Sequence, residues 1–186
     1  MDKTARTEFY RLFLVERLPE PLTPMSSHIQ LFDNYIENTR IRLRNIRVPE
    51  TKEWRHILQQ RFPSSETDPG CWKVAEIFLN ETEYQVFERF EGREIRKNRY
   101  FHEFDHHAFD FDVYIGPLWG LCTAKVAFQT AADIEKFEPP PFAIFEVTGD
   151  PFFFGENLVS KKFEDVQAEV EKIGSASPVV SEMPDE

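Results

Sequence analysis

The sequence predicts an α+β protein that is mainly antiparallel β, folded as a closed β-barrel with helices packed outside. Alternating apolar and polar residues, the period of a strand, recur in short segments separated by turn-forming residues. Phenylalanine is abundant, with 19 residues, and aromatic side chains favour strands. Segments with helical spacing are few, so the helices are expected to pack around a sheet.

Most of the predicted strands alternate clearly, and three segments need comment. Residues 56–62 fit either a weak strand or a helix. Residues 26–38 are predicted to form a strand broken by a turn at Asp33 and Asn34, because both residue types favour turns. Residues 145–148 are predicted to form a last central strand. The remaining strands are predicted at residues 7–15, 40–47, 71–79, 94–101, 109–114 and 121–129.

Three helices are predicted outside the barrel. The first begins after Asn80, whose side chain suits an N-cap, and ends at Gly92. The second covers residues 131–137 and stops before three prolines. The third covers residues 161–173 and has an apolar stripe at helical spacing. The sequence thus predicts a barrel domain at 1–160, a C-terminal helix at 161–174 and a disordered acidic tail at 175–186.

Composition narrows the classes of partner and the compartment. A net charge of −11 disfavours general binding to nucleic acid or to anionic membranes. The sequence has no apolar leader and no run of about 18 apolar residues, so we expect neither a secretory signal nor a membrane span. Cys71 and Cys122 lack a metal-binding spacing and are expected to be buried, reduced thiols. Together these features predict a cytoplasmic protein.

The charge is distributed unevenly along the chain. Residues 40–61 contain seven basic and two acidic side chains, a local excess of five positive charges inside an acidic protein. This pattern predicts a specific anion site rather than a broad basic surface.

Arg40, Arg42 and Arg44 alternate with apolar residues and therefore share one face of a strand. One interpretation is a solvated surface strand. The other is a polyanion held between opposed strands, because guanidinium groups match phosphate oxygens with paired donors.

A second basic strand carries Lys97 and Arg99 on one face. Together with the arginine strand and Lys73, it could form a polyphosphate site. Glu8, Asp112 and Glu146 are candidate ligands for a hard cation, Mg²⁺ or Mn²⁺, that would bridge phosphates. Taken singly, each of these acids is better explained as a solvated or salt-bridged residue.

From about residue 7 to residue 159, the order of these segments resembles the CYTH family, or triphosphate tunnel metalloenzymes. This family includes thiamine triphosphatases, inorganic triphosphatases and class IV adenylyl cyclases. The stretches that carry the resemblance are Phe13-Leu14-Val15, Tyr35, Arg40-Ile41-Arg42-Leu43-Arg44, Leu79 with Glu83-Tyr84, Ile95-Arg96-Lys97-Asn98-Arg99-Tyr100, Asp112-Val113-Tyr114 with Gly116-Pro117-Leu118 and Gly120-Leu121, and Glu146-Val147-Thr148-Gly149-Asp150 with Asn157-Leu158.

The resemblance implies an antiparallel β-tunnel at residues 1–160 that holds a triphosphate on basic side chains and a divalent metal on acidic ones. Glu146 matches a tunnel acid of the family's E-V-T motif. The positions that match phosphate-binding residues are Arg40, Arg42, Lys73, Lys97 and Arg99.

Two departures from the family pattern affect the metal side. The first strand of the family carries E-x-E-x-K, and the corresponding residues here are Glu8, Tyr10 and Leu12. A later strand carries A-E-x-E-F, which is replaced by residues 124–128 with Lys125 in place of one acid. The resemblance therefore implies a kept phosphate side, to which Lys125 adds a fixed cation, and a degenerate metal side.

Three functions follow as alternatives. The first is binding of a triphosphate-containing molecule or inorganic polyphosphate, with little or no hydrolysis. The second is a metal-dependent triphosphate phosphohydrolase that uses Glu8, Glu146 and Asp112. The third is a structural or interaction protein whose tunnel is filled by Tyr10 and Leu12.

Overall fold

The computed structural model describes residues 5–64 and 70–176, and at its centre lies a closed antiparallel barrel of eight strands. The predicted fold class is therefore confirmed. A short ninth strand, β9 (Phe145–Glu146), extends the sheet beside the first one. The barrel strands are β1 (Arg6–Leu14), β2 (His28–Ile36), β3 (Ile41–Arg47), β4 (Trp54–Pro63), β5 (Cys71–Leu79), β6 (Gly92–Phe104), β7 (His107–Ile115) and β8 (Cys122–Phe128).

Strand β1 closes the barrel because it pairs along both of its edges. Its first half pairs with β5, where Arg6 lies opposite Val74, and its end pairs with β9. Its other edge pairs with β8, where Leu12 lies opposite Lys125. The ring then runs from β5 through β4, β3, β2, β6 and β7 to β8.

The two faces of the barrel wall differ in chemistry. On the outer face of β1, β7 and β8, Phe13, Phe109 and Phe111 are buried beneath residues 137–143. Burial of this apolar shell stabilises the fold by roughly 25 cal/mol for each Å² removed from water. Alternate positions on the same strands point inwards and include the charged residues Glu8, Asp110, Asp112 and Lys125. The period of two thus builds a packed shell and a charged interior from one set of strands.

Four α-helices lie outside the barrel among the described residues: α1 (Glu81–Phe87), α2 (Ala131–Lys136), α3 (Gly155–Leu158) and α4 (Phe163–Ala176). The apolar stripe predicted for the last helix packs against the cluster that contains Leu14 and Val147. The stripe consists of Phe163, Val166, Val170 and Ile173.

The segment 151–158 covers one end of the barrel. Phe153 belongs to the same apolar cluster as α4, the ring of Phe154 meets a tryptophan edge-on, and Gly155 lies against a tyrosine hydroxyl. Because its contacts come from inward-facing side chains on four strands, this segment lies across the opening. Those side chains are Tyr35, Trp72, Ile95 and Tyr114.

Helix α1 begins as predicted but ends earlier. The Asn80 side chain accepts a hydrogen bond from the amide of Glu83, whose own side chain accepts one from the Asn80 amide. The helix stops at Phe87, and Gly92 starts β6 instead of ending the helix. A Cβ at Gly92 would lie 2.5 Å from the carbonyl oxygen of Tyr35, so glycine is needed there for close approach to β2.

Three strand predictions are settled by the structure. Residues 56–62, for which strand and helix were both open, lie within strand β4. Strand β2 is continuous, and the predicted turn at Asp33 is wrong because two arginines on β3 neutralise this carboxylate inside the barrel. Strand β9 is a two-residue edge strand and not a central one, since β5 already occupies the first half of the same β1 edge.

The C-terminal predictions are tested only in part. Helix α4 continues to Ala176, so the first two residues of the predicted tail are helical, while residues 177–186 lie outside the described residues. Cys71 and Cys122 are free and buried, as predicted. Within the described ranges, every helix is too short or too polar to cross a membrane.

Gly155→Ala should destabilise the covered end of the barrel. The new Cβ would lie 1.8 Å from the Tyr35 hydroxyl oxygen, which Arg42 holds with a 3.0 Å hydrogen bond. Overpacking of this kind costs about 1–3 kcal/mol of the free energy of unfolding, measured by urea denaturation.

Gly174→Ala is the matched control. Its Cβ would meet Phe145 at an ordinary 3.6 Å, and alanine inside a helix stabilises by about 0.5–1 kcal/mol relative to glycine. Equal stability changes for the two variants would contradict the close packing of residue 155.

Candidate functional site

A cavity of about 360 Å³ occupies the barrel interior. Of the described residues, eight basic and five acidic side chains line it, which gives the lining an excess of three positive charges. Asp33, buried behind two of the arginines, reduces this excess to two. The basic residues are Arg6, Arg40, Arg42, Arg44, Arg61, Lys97, Arg99 and Lys125, and the acidic ones are Glu8, Glu76, Asp110, Asp112 and Glu156.

Three carboxylates inside the barrel each bind two basic side chains, and we call each such group a carboxylate bridge. The first bridge is Asp33 of β2 between Arg42 and Arg44 of β3. Arg44 donates two hydrogen bonds to it, both of 2.6 Å, and Arg42 donates one of 3.2 Å. Arg42 also donates to Gln59 at 2.6 Å, so its guanidinium is fixed from several sides.

The second carboxylate bridge joins β6 to β7. Asp112 receives two hydrogen bonds from Arg99, of 2.6 and 2.7 Å, and an ion pair of 2.6 Å with Lys97. Arg99 also donates to Asp110 at 2.8 Å. The ammonium of Lys97 lies 5.1 Å from the ring centre of Tyr114, within the range of a cation–π contact.

The third carboxylate bridge crosses the closure of the barrel. Glu8 of β1 accepts from Lys125 of β8 at 2.8 Å and from Arg61 of β4 at 2.6 Å. The Lys125 ammonium also lies 4.7 Å from the ring centre of Tyr10. This bridge therefore joins two positions of the family comparison. Glu8 is the one acid retained from the E-x-E-x-K pattern, and Lys125 stands in place of an acid of the A-E-x-E-F pattern.

The bridges shift the pKa values of their members. Burial alone would raise the pKa of the Glu8 carboxyl, but Lys125 and Arg61 together hold it at about 2. Burial likewise opposes ionisation of Asp33 and Asp112, and their basic partners keep both pKa values below the usual range. All three carboxylates are therefore ionised at neutral pH.

Both cavity lysines have a lowered pKa. Burial lowers the pKa of Lys97 to about 8, against the opposing effect of Asp112. Burial has the same effect on Lys125, whose pKa is also about 8 despite its contact with Glu8. The positive charge of the cavity thus depends on pH just above neutrality.

The remaining cavity charges lie nearer to solvent. Arg6 pairs with Glu76 and is more than half exposed. Arg40 is exposed, and its guanidinium lies 4.7 Å from the ring centre of Phe62.

The structure brings most of the predicted phosphate-binding residues together, with one correction. Arg40, Arg42, Lys97, Arg99 and Lys125 all line the cavity. Lys73 does not, because Trp72 and Val74 are the residues of β5 that line the cavity, while the Lys73 ammonium donates to Thr7 at 2.6 Å on the outer face. The predicted phosphate contact of Lys73 inside the barrel is therefore wrong.

Glu146 also lies outside the cavity. Its carboxylate pairs with Arg11, through a 2.8 Å hydrogen bond from Nε and a second contact to Nη2, and accepts from Thr148 at 2.7 Å. Arg11 lies on the outer face of β1, where its guanidinium contacts Phe13 and Phe137. The prediction that Glu146 is a tunnel acid and metal ligand is wrong for this reason.

Two members of the carboxylate bridges, Asp33 and Arg61, were not predicted from the sequence. Asp33 was assigned to a turn because of its residue type, although its two-residue spacing from Leu31 and Tyr35 places it on the inward face of a strand. Arg61 ends the basic segment of residues 40–61, but the strand that carries it was not resolved from a helix. A firm strand assignment for 54–63 would have placed Arg61 on the inward face.

The acidic side chains of the cavity do not fit a divalent metal. At phosphate sites Mg²⁺ is held by one or two free carboxylates together with the phosphates of the substrate. Each buried carboxylate here instead turns its oxygens to two basic groups, and no group of three or more metal-binding side chains occurs in the described parts of the chain. Glu8 and Asp112 lie in the cavity as predicted, but as partners of cations.

No protein-family model and no curated protein matches the chain. Among solved structures, the crystal structure of the hypothetical protein NE1496 is 24% identical with a TM-score of 0.56, and covers 83% of this chain and 99% of its own. The crystal structure of the inorganic triphosphatase NE1496 is 26% identical with a TM-score of 0.55, and covers 82% of this chain and 93% of its own.

A third structure is more distant. The protein HpAC1 from Hippeastrum, described with a dominant triphosphatase activity, is 12% identical with a TM-score of 0.44, and covers 69% of this chain and 83% of its own. The assignment of the fold therefore rests on the first two structures and on the closed eight-stranded barrel. This chain has the CYTH-type fold that the sequence resemblance implied.

Proposed function

We propose that this chain binds a triphosphate or a similar polyanion in the barrel cavity. One observation carries the proposal: eight basic side chains converge on a single cavity in a protein of net charge −11. The protein's own carboxylates leave this cavity an excess of two positive charges, which an entering anion would neutralise. The likeness to a structure described as an inorganic triphosphatase supports a phosphate chain as that anion.

The geometry of the cavity suits a short phosphate chain. Arg42 and Arg44 approach from β3, and Lys97 and Arg99 approach from β6, on the other side of β2. Guanidinium forks bind phosphate oxygens in pairs, while the lysine ammonium groups add compact charge. Residues 153–156 line the covered end, so a linear anion would enter from the opposite end, where Arg6 and Glu76 lie near solvent.

In this proposal the bridges keep the arginines in place before the ligand arrives. Asp33 fixes Arg42 and Arg44, and Asp112 fixes Arg99, so little side-chain freedom is lost on binding. Lys97 and Lys125 neutralise phosphate charge. The Tyr10 ring beside Lys125 narrows the cavity and limits the size of the anion.

Metal-dependent hydrolysis of a triphosphate is the second candidate, favoured by the inorganic triphosphatase of similar fold. It would require Mg²⁺ or Mn²⁺ on carboxylates that are engaged by arginine and lysine in this chain. We therefore place binding first and hydrolysis second. A structural role with a filled barrel is the least favoured alternative, because the cavity remains open to about 360 Å³.

Saturating tripolyphosphate should raise the thermal midpoint without Mg²⁺. Ligand at about 100 times its dissociation constant adds about 2.7 kcal/mol, or about 5–10 °C for a chain of this size. The measurement is differential scanning fluorimetry in EDTA and in Mg²⁺. A shift only in Mg²⁺ would move hydrolysis to first place, and no shift in either condition would contradict anion binding.

Lys97→Ala should weaken tripolyphosphate binding by about 10–100-fold, the loss of one charge-assisted contact of about 1.5–3 kcal/mol. Lys73→Ala removes the same charge from the outer face and should change the dissociation constant by less than about twofold. Isothermal titration calorimetry gives both constants, and circular dichroism checks folding. Equal weakening in the two variants would show that overall charge, not the cavity, determines affinity.

Tripolyphosphate affinity should fall as the pH rises above about 8. The anion favours the charged lysines, whose pKa values in the free protein are about 8, so binding above that pH must first add protons. The dissociation constant should stay nearly constant from pH 6.5 to 7.5. Above pH 8 it should rise by up to about tenfold per pH unit for each lysine.

The matched variant for the pH series is Lys97→Arg combined with Lys125→Arg, since arginine stays charged throughout. This double variant should flatten the part of the profile that the protein contributes. The same slope in both proteins would assign the pH dependence to the ligand alone.

A further inference from the structure

Glu8 occupies a position that suits a phosphate group. Its two carboxylate oxygens are divided between two cations, with one oxygen 2.8 Å from the Lys125 ammonium and the other 2.6 Å from Arg61. These are the distances of charge-assisted hydrogen bonds to any oxyanion. The two cations come from β8 and β4, so the anion between them sits inside the cavity between strands that do not pair with each other.

Arg61 is incompletely satisfied in this arrangement. Its Nε is buried and has no hydrogen-bond partner among the described residues, although one of its terminal nitrogens binds Glu8. A buried donor without an acceptor costs free energy, and native structures rarely leave one. The Glu8 carboxylate therefore occupies the position beside Arg61 but leaves one donor of Arg61 unused. A phosphate group in the same position has a further oxygen that could accept from this donor.

The three carboxylate bridges differ in how firmly they are held. The side chains of Asp33 and Asp112 are only 1% and 6% exposed, and each receives paired hydrogen bonds from an arginine. Glu8 is 19% exposed, has a longer side chain and receives single contacts. It is therefore the carboxylate of the three that can leave its partners at the lowest cost.

We propose that Glu8 is an internal counter-ion that holds the phosphate position between Arg61 and Lys125 and is displaced when the ligand enters. This inference rests on the proposed function. It identifies Glu8 as the group of the protein that competes with the anion for the two cations. It assigns to Glu8 a role opposite to that of a metal ligand. A metal ligand assists phosphate binding, and an internal counter-ion competes with it.

The sign of the effect of Glu8→Gln on affinity distinguishes these roles. With tripolyphosphate in EDTA, the variant should bind at least about tenfold more tightly than the wild type, since two cations are released from an internal competitor. The control is Glu156→Gln, which removes one charge from the same cavity while Arg61 and Lys125 keep their bonds to Glu8. It should change affinity by less than about threefold.

Glu8→Gln leaves two neighbouring cations without a carboxylate and could lower the stability of the barrel. Glu8→Ala and calorimetry at 10 °C provide a second measurement, and near-UV circular dichroism verifies that each variant is folded. Both Glu8 variants should bind more tightly than the wild type. Mg²⁺ should add little to binding by the wild type, because the inference gives Glu8 no metal to hold.

The outcomes separate this inference from the proposed function. Tighter binding by the Glu8 variants than by Glu156→Gln supports the inference, even if wild-type binding is too weak to measure. Wild-type binding with equal or weaker binding by the Glu8 variants overturns the inference and leaves anion binding intact. Equal tightening in Glu156→Gln also overturns it. Absence of binding in every protein overturns the inference and the proposed function together.

Discussion

Charge neutralisation between neighbouring strands is the interaction on which this barrel depends. An ion moved from water into a protein interior loses several kcal/mol of solvation, and a ring of arginines and lysines would also repel itself. Each carboxylate bridge offsets both effects, because one acid lies between two bases. Asp33 and Asp112 do this between directly paired strands, so the charges are balanced locally where the backbone is already fixed.

The same bridges set the chemical character of the cavity. A barrel whose free acids converged on one point would attract a divalent cation. Here the three bridge carboxylates each lie between two bases, and the remaining excess of positive charge is small. The interior is therefore suited to exchanging one set of anions for another, with the protein's own carboxylates as the resident set.

Much of this arrangement could be predicted from the sequence, because alternation fixes which residues of a strand share a face. The pairing of Arg42 with Arg44 and of Lys97 with Arg99 needed only the period of two. The pattern does not say which face is inward. Lys73 was placed inside, although register with β1 turns Trp72 and Val74 inwards instead. Glu146 was misplaced because its strand has two residues, too few to carry a period. Asp33 was missed because turn propensity was given more weight than burial beside arginine.

Strand β1 lies far in sequence from the strands with which it pairs. The other neighbours in the ring mostly join through consecutive hairpins, whereas Glu8 and Lys125 are 117 residues apart and Arg11 and Glu146 are 135 apart. Closing such long loops costs chain entropy before any contact forms, so we expect closure at β1 to be a late step of folding. Until then the cavity is an open sheet with hydrated charges. With this order of steps, desolvation of the Glu8 bridge would coincide with completion of the ring, and the energetic cost of burying those charges would fall on the final folding step.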